Sequence, residues 1–472
     1  MAAPATPILD PALGNQVCIQ CTDHAPRLDR IAASLRVLSR WAERASLAFL
    51  FLTVIALLMR PADLVPALAG FPLYQGCIAL ALLTSAPRFL SAPRSLRAGA
   101  LLPLTALFVP AIVLSHLWNM DTWNAQIGGI EAAKAFALFF LTLAIVDTPA
   151  DLRRLVLAIA VSVLVMTLLA LLSYHGLVEV SALTLVVQNA AGEGDGSNIR
   201  RLCGTGIFND PNDYALVLVL CLSVCTFALG ERSLGRWRAI AVIAFGVFAY
   251  ALVLTHSRGG MVSALAAAGS YVFARFGWRN AAPLILLLGL GMLAPVWGRQ
   301  AHLNLADPED TFQARLELWS ASFDLFRASP IFGIGQGKLV DEIGQVTHNS
   351  FLHAFSELGL IGGTLFVGIF YLAVKGVAAA RSTDTALSRL RPCILAMTVG
   401  YAAGMLALSR CYTAPVQLIL GIATAYQVLA SRTGPMIIQR LNTRCLMTIA
   451  SISLAFLGAT YLFIRLMIHR SA

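Results

Sequence analysis

Leu152-Arg-Arg-Leu-Val-Leu-Ala-Ile-Ala-Val-Ser-Val-Leu-Val-Met-Thr-Leu-Leu-Ala-Leu-Leu-Ser-Tyr-His175 holds no acidic or basic side chain between Arg154 and its closing histidine. Coiled into a helix, roughly 20 such residues match the hydrocarbon thickness of a bilayer. The stretch has no polar face to turn toward water, so it requires lipid or protein on every side. Two arginines stand at one end, where a helix leaving the cytoplasm carries its positive charge.

Working outward, comparable runs recur along the chain. They lie near 45–59, 64–84, 99–118, 128–146, 152–175, 211–230, 237–255, 259–276, 280–298, 350–374, 389–408, 413–430 and 444–467. Of the 472 residues 58% are hydrophobic and 12% charged, the latter about half the share usual in soluble domains. The expected fold is all-α, a polytopic membrane bundle of 12 to 13 transmembrane helices with a periplasmic helical loop region. Residues 1–27 lack a basic stretch followed by an apolar one, the mark of a cleaved signal, and read as a cytoplasmic tail. In residues 28–44, Leu28, Ile31, Leu35, Leu38 and Trp41 alternate with Arg30, Arg36, Arg40 and Arg44 at amphipathic spacing, predicting a helix along the inner leaflet. The expected organisation is a tail and amphipathic helix over 1–44, one transmembrane bundle over 45–467, and within it a large external loop over 299–349.

The net charge of +10 reads as topology rather than nucleic-acid binding. Starting inside and alternating, the internal connections hold Arg88, Arg94 and Arg97, then Arg153 and Arg154, then Arg232, Arg236 and Arg238, then Arg275 and Arg279, then Lys375, Arg381, Arg389 and Arg391. That is the inside-positive bias of a multi-pass inner-membrane protein. The last run is ambiguous, with arginines at both ends. Cys18-x-x-Cys21 has no second pair nearby and falls short of the four ligands of a structural zinc site.

The same bias singles out the basic residues it places outside: Arg200, Arg201, Arg258, Arg299, Arg315, Arg327 and Lys338. Each could sit in an aqueous loop or pair with a neighbouring acid such as Asp195, Glu317, Asp324 or Asp341. Arg258 is harder to explain that way. Leu254-Thr-His-Ser-Arg-Gly-Gly260 leaves it on a very short connection between two apolar runs, where a cation is expensive and normally faces a cavity or partner. A planar guanidinium suits paired phosphate oxygens, and Gly259-Gly260 allows close backbone approach or an unusual turn.

Arg201-Leu-Cys-Gly-Thr-Gly-Ile-Phe-Asn-Asp-Pro-Asn-Asp213 runs into the span at 211, and Asp210-Pro211 marks a helix start. Capping explains Asn209, Asp210, Asn212 and Asp213 but leaves the arginines upstream unexplained. Phe312-Gln-Ala-Arg-Leu-Glu-Leu-Trp-Ser-Ala-Ser-Phe-Asp-Leu-Phe-Arg327 has helical amphipathicity, and Gly333-Ile-Gly-Gln-Gly337 follows it without the lysine and hydroxyl of a nucleotide loop. Thr347-His-Asn-Ser-Phe-Leu-His-Ala-Phe-Ser-Glu-Leu-Gly-Leu-Ile-Gly-Gly363 opens an apolar span with polar groups. His348 at its mouth could take a proton near neutral pH or serve the helix start. His353 and Glu357 stand four apart, suited to an intrahelical pair, and Glu131 and Lys134 stand three apart and neutralise each other.

Together, Arg201 to Asn212, Thr255-His-Ser-Arg-Gly-Gly260, Arg315 to Trp319 with Pro330 to Gly337, and His348-Asn-Ser-Phe-Leu352 with Glu357 to Gly362 resemble the O-antigen ligase and polymerase superfamily of membrane glycosyltransferases. The resemblance implies an undecaprenyl-diphosphate-linked glycan as donor and a sugar hydroxyl of lipid A-core as acceptor. It also implies inverting transfer at the periplasmic face without a cofactor or obligatory metal. His348 would be the general base, and Arg201, Arg258 and Arg315 would bind the diphosphate, with Arg200 the alternative in the Arg200-Arg201 doublet. An O-antigen polymerase or a protein O-oligosaccharyltransferase shares this chemistry. A transporter for a lipid-linked saccharide would use the cations without a base.

Overall fold

The computed structural model describes residues 25–91, 99–183, 186–189, 198–283, 286, 312–434 and 439–471. In chain order these form α1 (Ala25–Leu58), α2 (Leu73–Ser91), α3 (Leu101–Trp118), α4 (Thr122–Ile145) and α5 (Pro149–Tyr174). A hairpin of β1 (Val186–Asn189) and β2 (Asn198–Arg201) follows, then α6 (Pro211–Gly230), α7 (Trp237–Leu254), α8 (Arg258–Phe276) and α9 (Phe312–Ala328). The chain closes with α10 (Ser350–Ala379), α11 (Thr385–Gly404), α12 (Ala414–Thr433) and α13 (Thr443–Ser471).

The apolar runs locate the helices, although some ends differ by several residues, as where the run near 64–84 is α2, Leu73–Ser91. Among the described residues nine helices are long and apolar enough to cross a membrane: α1, α3, α4, α5, α6, α7, α10, α12 and α13. Within α2 the described apolar stretch is Leu73–Ala86, and Pro61–Leu64 and Pro66–Leu68 form separate short turns before it. The expected run at 280–298 falls mostly outside the described residues, as do Cys18, Cys21 and Arg299. The amphipathic stretch and the first span are one unbroken helix, α1. The polar connection before α6 is not plain loop: β1 and β2 pair antiparallel, with Val187 opposite Arg200 and Val186 opposite Arg201.

Burial, rather than hydropathy, separates the central helices from those at the rim. The apolar stretches of α6 and α12 are 78% and 89% buried, whereas those of α7 and α13 are 28% buried and lie at the rim. Trp237, Val242, Ile243 and Val253 of α7 are exposed, an arrangement stable against lipid tails and unstable against water. In the centre the one polar atom of Tyr214 is satisfied by donating to Thr167 Oγ1 at 2.8 Å, as a buried hydroxyl requires.

Helix α10 is broken inside. Gly359 has φ 64° and ψ −163°, which interrupts the helical ladder at a depth where lipid offers no replacement partners. The loop Pro330–Gly337 supplies them. Ile334 N–H donates to Ser356 C=O (3.1 Å) and Gly335 N–H to Glu357 C=O (3.0 Å), while Leu360 N–H donates to Pro330 C=O (2.7 Å). From α3, Ser115 Oγ donates to Glu357 C=O at 2.6 Å and Asn119 Nδ2 to Gly333 C=O at 2.9 Å. The glycine-rich loop is thus a splint for a broken helix.

Candidate functional site

Strand alternation separates the two neighbouring arginines. Arg200 is exposed, while Arg201 is 7% exposed and turned into the protein. Arg201 Nε donates to Thr255 C=O at 2.9 Å and its NH2 to Asn212 Oδ1 at 3.2 Å. The same Oδ1 accepts from Ser257 Oγ at 2.7 Å, and Ser257 caps α8 by accepting from Gly260 N–H at 3.0 Å. Arg201 is therefore fixed against the turn that carries Arg258. The four residues expected to cap have different places, Asn209 closing the short turn Gly206–Phe208. Asp210 is the cap of α6, accepting from Asn212 N–H at 2.6 Å; Asn212 cross-links Arg201 to Ser257; Asp213 serves another partner.

Arg258 is the first residue of α8 and exposed. Gly259 and Gly260 are ordinary helical residues that admit close neighbours: an added Cβ would stand 2.7 Å from Ala407 Cβ at the first and 2.5 Å from Ala215 Cβ at the second. Close approach, not an unusual turn, is what they provide. The unusual backbone lies three residues before Gly259, at His256, with φ 49°. Partial burial lowers the pKa of this imidazole and the Arg201 charge lowers it further.

Ala407 belongs to the connection 405–413, which ties α8 to α10. Ser350 N–H donates to Met405 C=O at 2.8 Å, and Ser350 Oγ donates to Leu408 C=O while accepting from Arg410 N–H at 2.9 Å. The Arg410 guanidinium meets Asp213 Oδ2 through Nε at 2.7 Å and NH2 at 2.6 Å. The Asp213 hydrogen bond raises the Arg410 pKa further, keeping it charged at all physiological pH. Beside this pair is a cavity of about 200 Å³ walled by apolar side chains that include Ile159, Leu216 and Ile419.

Two residues before Ser350, His348 has φ 51°, a left-handed conformation that costs a non-glycine residue about 1–2 kcal/mol. It is not the helix cap. Asn349 is, its Oδ1 accepting from the N–H groups of Phe351 (3.1 Å) and Leu352 (3.2 Å). On the other side of His348, Thr347 C=O accepts from Trp319 Nε1 at 2.9 Å, and Ser322 and Thr347 hydroxyls lie 3.2 Å apart. Arg315 is one turn before Trp319 on α9. A continuous series of contacts thus joins the segments carrying Arg201, Arg258, Arg410, His348 and Arg315 at one end of the bundle.

Other charged groups prove to be paired. Arg327 lies 3.5 Å from Asp324, and Lys338 lies 3.2 Å from Asp121 and 3.8 Å from Asp341. Asn124, with Lys338, holds the Asp121 carboxyl down to about 2, so the Lys338 pair survives acidification. Glu131 and Lys134 pair at 2.6 Å, and His353 and Glu357 pair at 2.9 Å in the interior. Among the described residues no group of three His, Cys, Asp or Glu is placed to hold a metal ion.

Arg410 and the cross-linking role of Asn212 were missed in the sequence. The inside-positive test that picked out Arg258 applies equally to Arg410, which falls in an external connection by the same alternation. Residues 239–367, from α7 through the first part of α10, match the family model described as O-Antigen ligase. No curated protein matches the chain.

Proposed function

We propose that this chain, a member of the O-antigen ligase superfamily, transfers an O-antigen glycan from undecaprenyl diphosphate to a sugar hydroxyl of lipid A-core at the periplasmic face of the inner membrane. The observation that carries the reading is the joining of the Arg201, Arg258 and Arg410 segments to the mouth of α10, where His348 precedes the cap. Guanidinium groups on segments joined to the one that carries a histidine suit the two needs of the chemistry.

The acceptor oxygen attacks the anomeric carbon as the bond from that carbon to the diphosphate oxygen breaks. The hydroxyl proton passes to His348, and the electron pair of the broken bond leaves on the diphosphate. Charge therefore develops at the leaving group, where Arg201, Arg258 and Arg315 donate hydrogen bonds that strengthen as it departs. Direct displacement inverts the anomeric centre. Arg201, rather than the exposed Arg200, is the member of the doublet assigned to this role. Products are the glycosylated acceptor and undecaprenyl diphosphate, and the histidine returns its proton to solvent.

Deleting the gene in its host tests the acceptor. A ligase deletion leaves lipid A-core bare on a lipopolysaccharide gel while polymerised lipid-linked donor accumulates. Core bearing a single repeat would instead identify a polymerase, and an unchanged lipopolysaccharide with under-glycosylated protein would identify a protein O-oligosaccharyltransferase.

A further inference from the structure

Next to the cavity beside Arg410 and Asp213 is a second one, of about 370 Å³. Its polar wall is built from Arg60 and Asp63 after α1, Tyr74 and Gln75 at the start of α2, and Glu131 and Lys134 in α4. The charges come as two pairs: Arg60 Nε lies 2.9 Å from Asp63 Oδ2, and Lys134 Nζ lies 2.6 Å from Glu131 Oε1. Two cations and two carboxylates cancel, so the cavity offers no net attraction to a diphosphate. A carboxylate only accepts hydrogen bonds, while ammonium and guanidinium groups only donate. Both kinds in one cavity suit a ligand whose groups each donate and accept, which is the chemistry of a sugar hydroxyl.

Three further observations favour an occupant. Glu131 and Lys134 lie within a membrane-crossing helix yet keep 61% and 45% of their side chains exposed, and an intramembrane charge pair is retained where it faces a cavity or partner. The Tyr74 hydroxyl is buried and has no hydrogen-bond partner among the described residues. Phe71, also on the wall, is 62% exposed and presents an apolar face, as ligand pockets do beside their few polar groups.

The cavity is built into the site. It shares Ile207, Thr413 and Pro415 with the cavity beside Arg410 and Asp213. Its wall residue Tyr412 packs edge-on against His353, with centroids 5.8 Å apart, on the helix that begins after His348. Arg60 lies over Gly206, where any Cβ would strike the guanidinium and φ is +55°; Thr205 Oγ1 donates to Met59 C=O at 3.3 Å. The segment running from Arg201 to α6 thereby holds one wall in place.

We infer that this cavity is a saccharide subsite, which takes the sugar of the acceptor with its hydroxyls between the two ion pairs. Assignment to the acceptor, rather than to the glycan of the donor, rests on the proposed transfer; the saccharide chemistry does not. The test is equilibrium binding of core oligosaccharide, released by mild acid from the host's lipopolysaccharide, to the full chain in lipid nanodiscs. The double substitution Glu131→Gln with Lys134→Met, uncharged overall like the pair it replaces, weakens binding about ten-fold, equivalent to ~1.4 kcal/mol. Tyr74→Phe, which removes one oxygen and decides the matter where the double variant does not fold, weakens it a few-fold. Absence of binding to the wild-type chain, or binding unchanged in the folded variants, overturns the subsite. Transfer measured on the same preparations keeps the two readings apart: oligosaccharide binding through these residues without any transfer refutes the reaction and leaves the subsite standing.

Discussion

Arg410 carries two connections at once. Its side chain bonds Asp213 in the first turn of α6, and its backbone N–H bonds Ser350 in the first turn of α10. Asp213 is 7% exposed, so removing the cation leaves a carboxylate in a place where water cannot compensate it. Arg410→Ala is expected to cost about 2 kcal/mol of stability and to lower the thermal unfolding midpoint in detergent. Adding Asp213→Ala recovers part of that loss, because the stranded charge is gone. Strictly additive losses would show that the pair contributes no coupling. His348 shows a different use of one residue: the helix is capped by Asn349 instead, and the left-handed backbone of His348 is the kind of local strain that clusters at functional positions.

At the scale of elements, the break in α10 matters most, since it turns a loop between helices into part of the bundle. An alanine at Gly359 would place a Cβ against the Ile331 carbonyl in a backbone conformation that disfavours it. Gly359→Ala is therefore expected to lower the unfolding midpoint and transfer together, whereas Gly458→Ala, whose Cβ would meet nothing within 4 Å, leaves both unchanged. An unaffected Gly359→Ala protein would mean that the splint is dispensable. Most helices were legible beforehand because an apolar run bounded by charges or by Asp-Pro leaves little freedom: the α6 and α7 boundaries came within one residue. The hairpin was not, since strands of four residues with two arginines give no usable period. Nor was the splint, because glycine spacing says where a backbone can approach closely and not which backbone approaches. At the candidate site, charge on the expected outer side singled out Arg201 and Arg258 in the sequence, while contacts between segments as far apart as Asp213 and Arg410 belong to tertiary packing alone.

For the whole molecule, the arrangement is a bundle with α6 and α12 at its centre and the segments of the candidate site joined toward one end. Lipid fixes the sides of such a protein, so chemistry on a lipid-linked substrate is confined to the ends or to cavities reached from them. Two cavities meet there, one beside Arg410 and Asp213 and one between two ion pairs, with shared walls at Ile207, Thr413 and Pro415. The account joins them as neighbouring parts of a single transferase, with the leaving diphosphate on the guanidinium side and the acceptor sugar on the other. The most direct test is transfer by the purified full chain in liposomes supplied with undecaprenyl-diphosphate-linked glycan and lipid A-core, comparing wild type with His348→Ala. The account predicts glycosylated core with one undecaprenyl diphosphate released per transfer, and a rate about 10²-fold lower or less in the variant with donor binding retained. Transfer at the wild-type rate without His348, or movement of donor across the bilayer with no transfer, would contradict it.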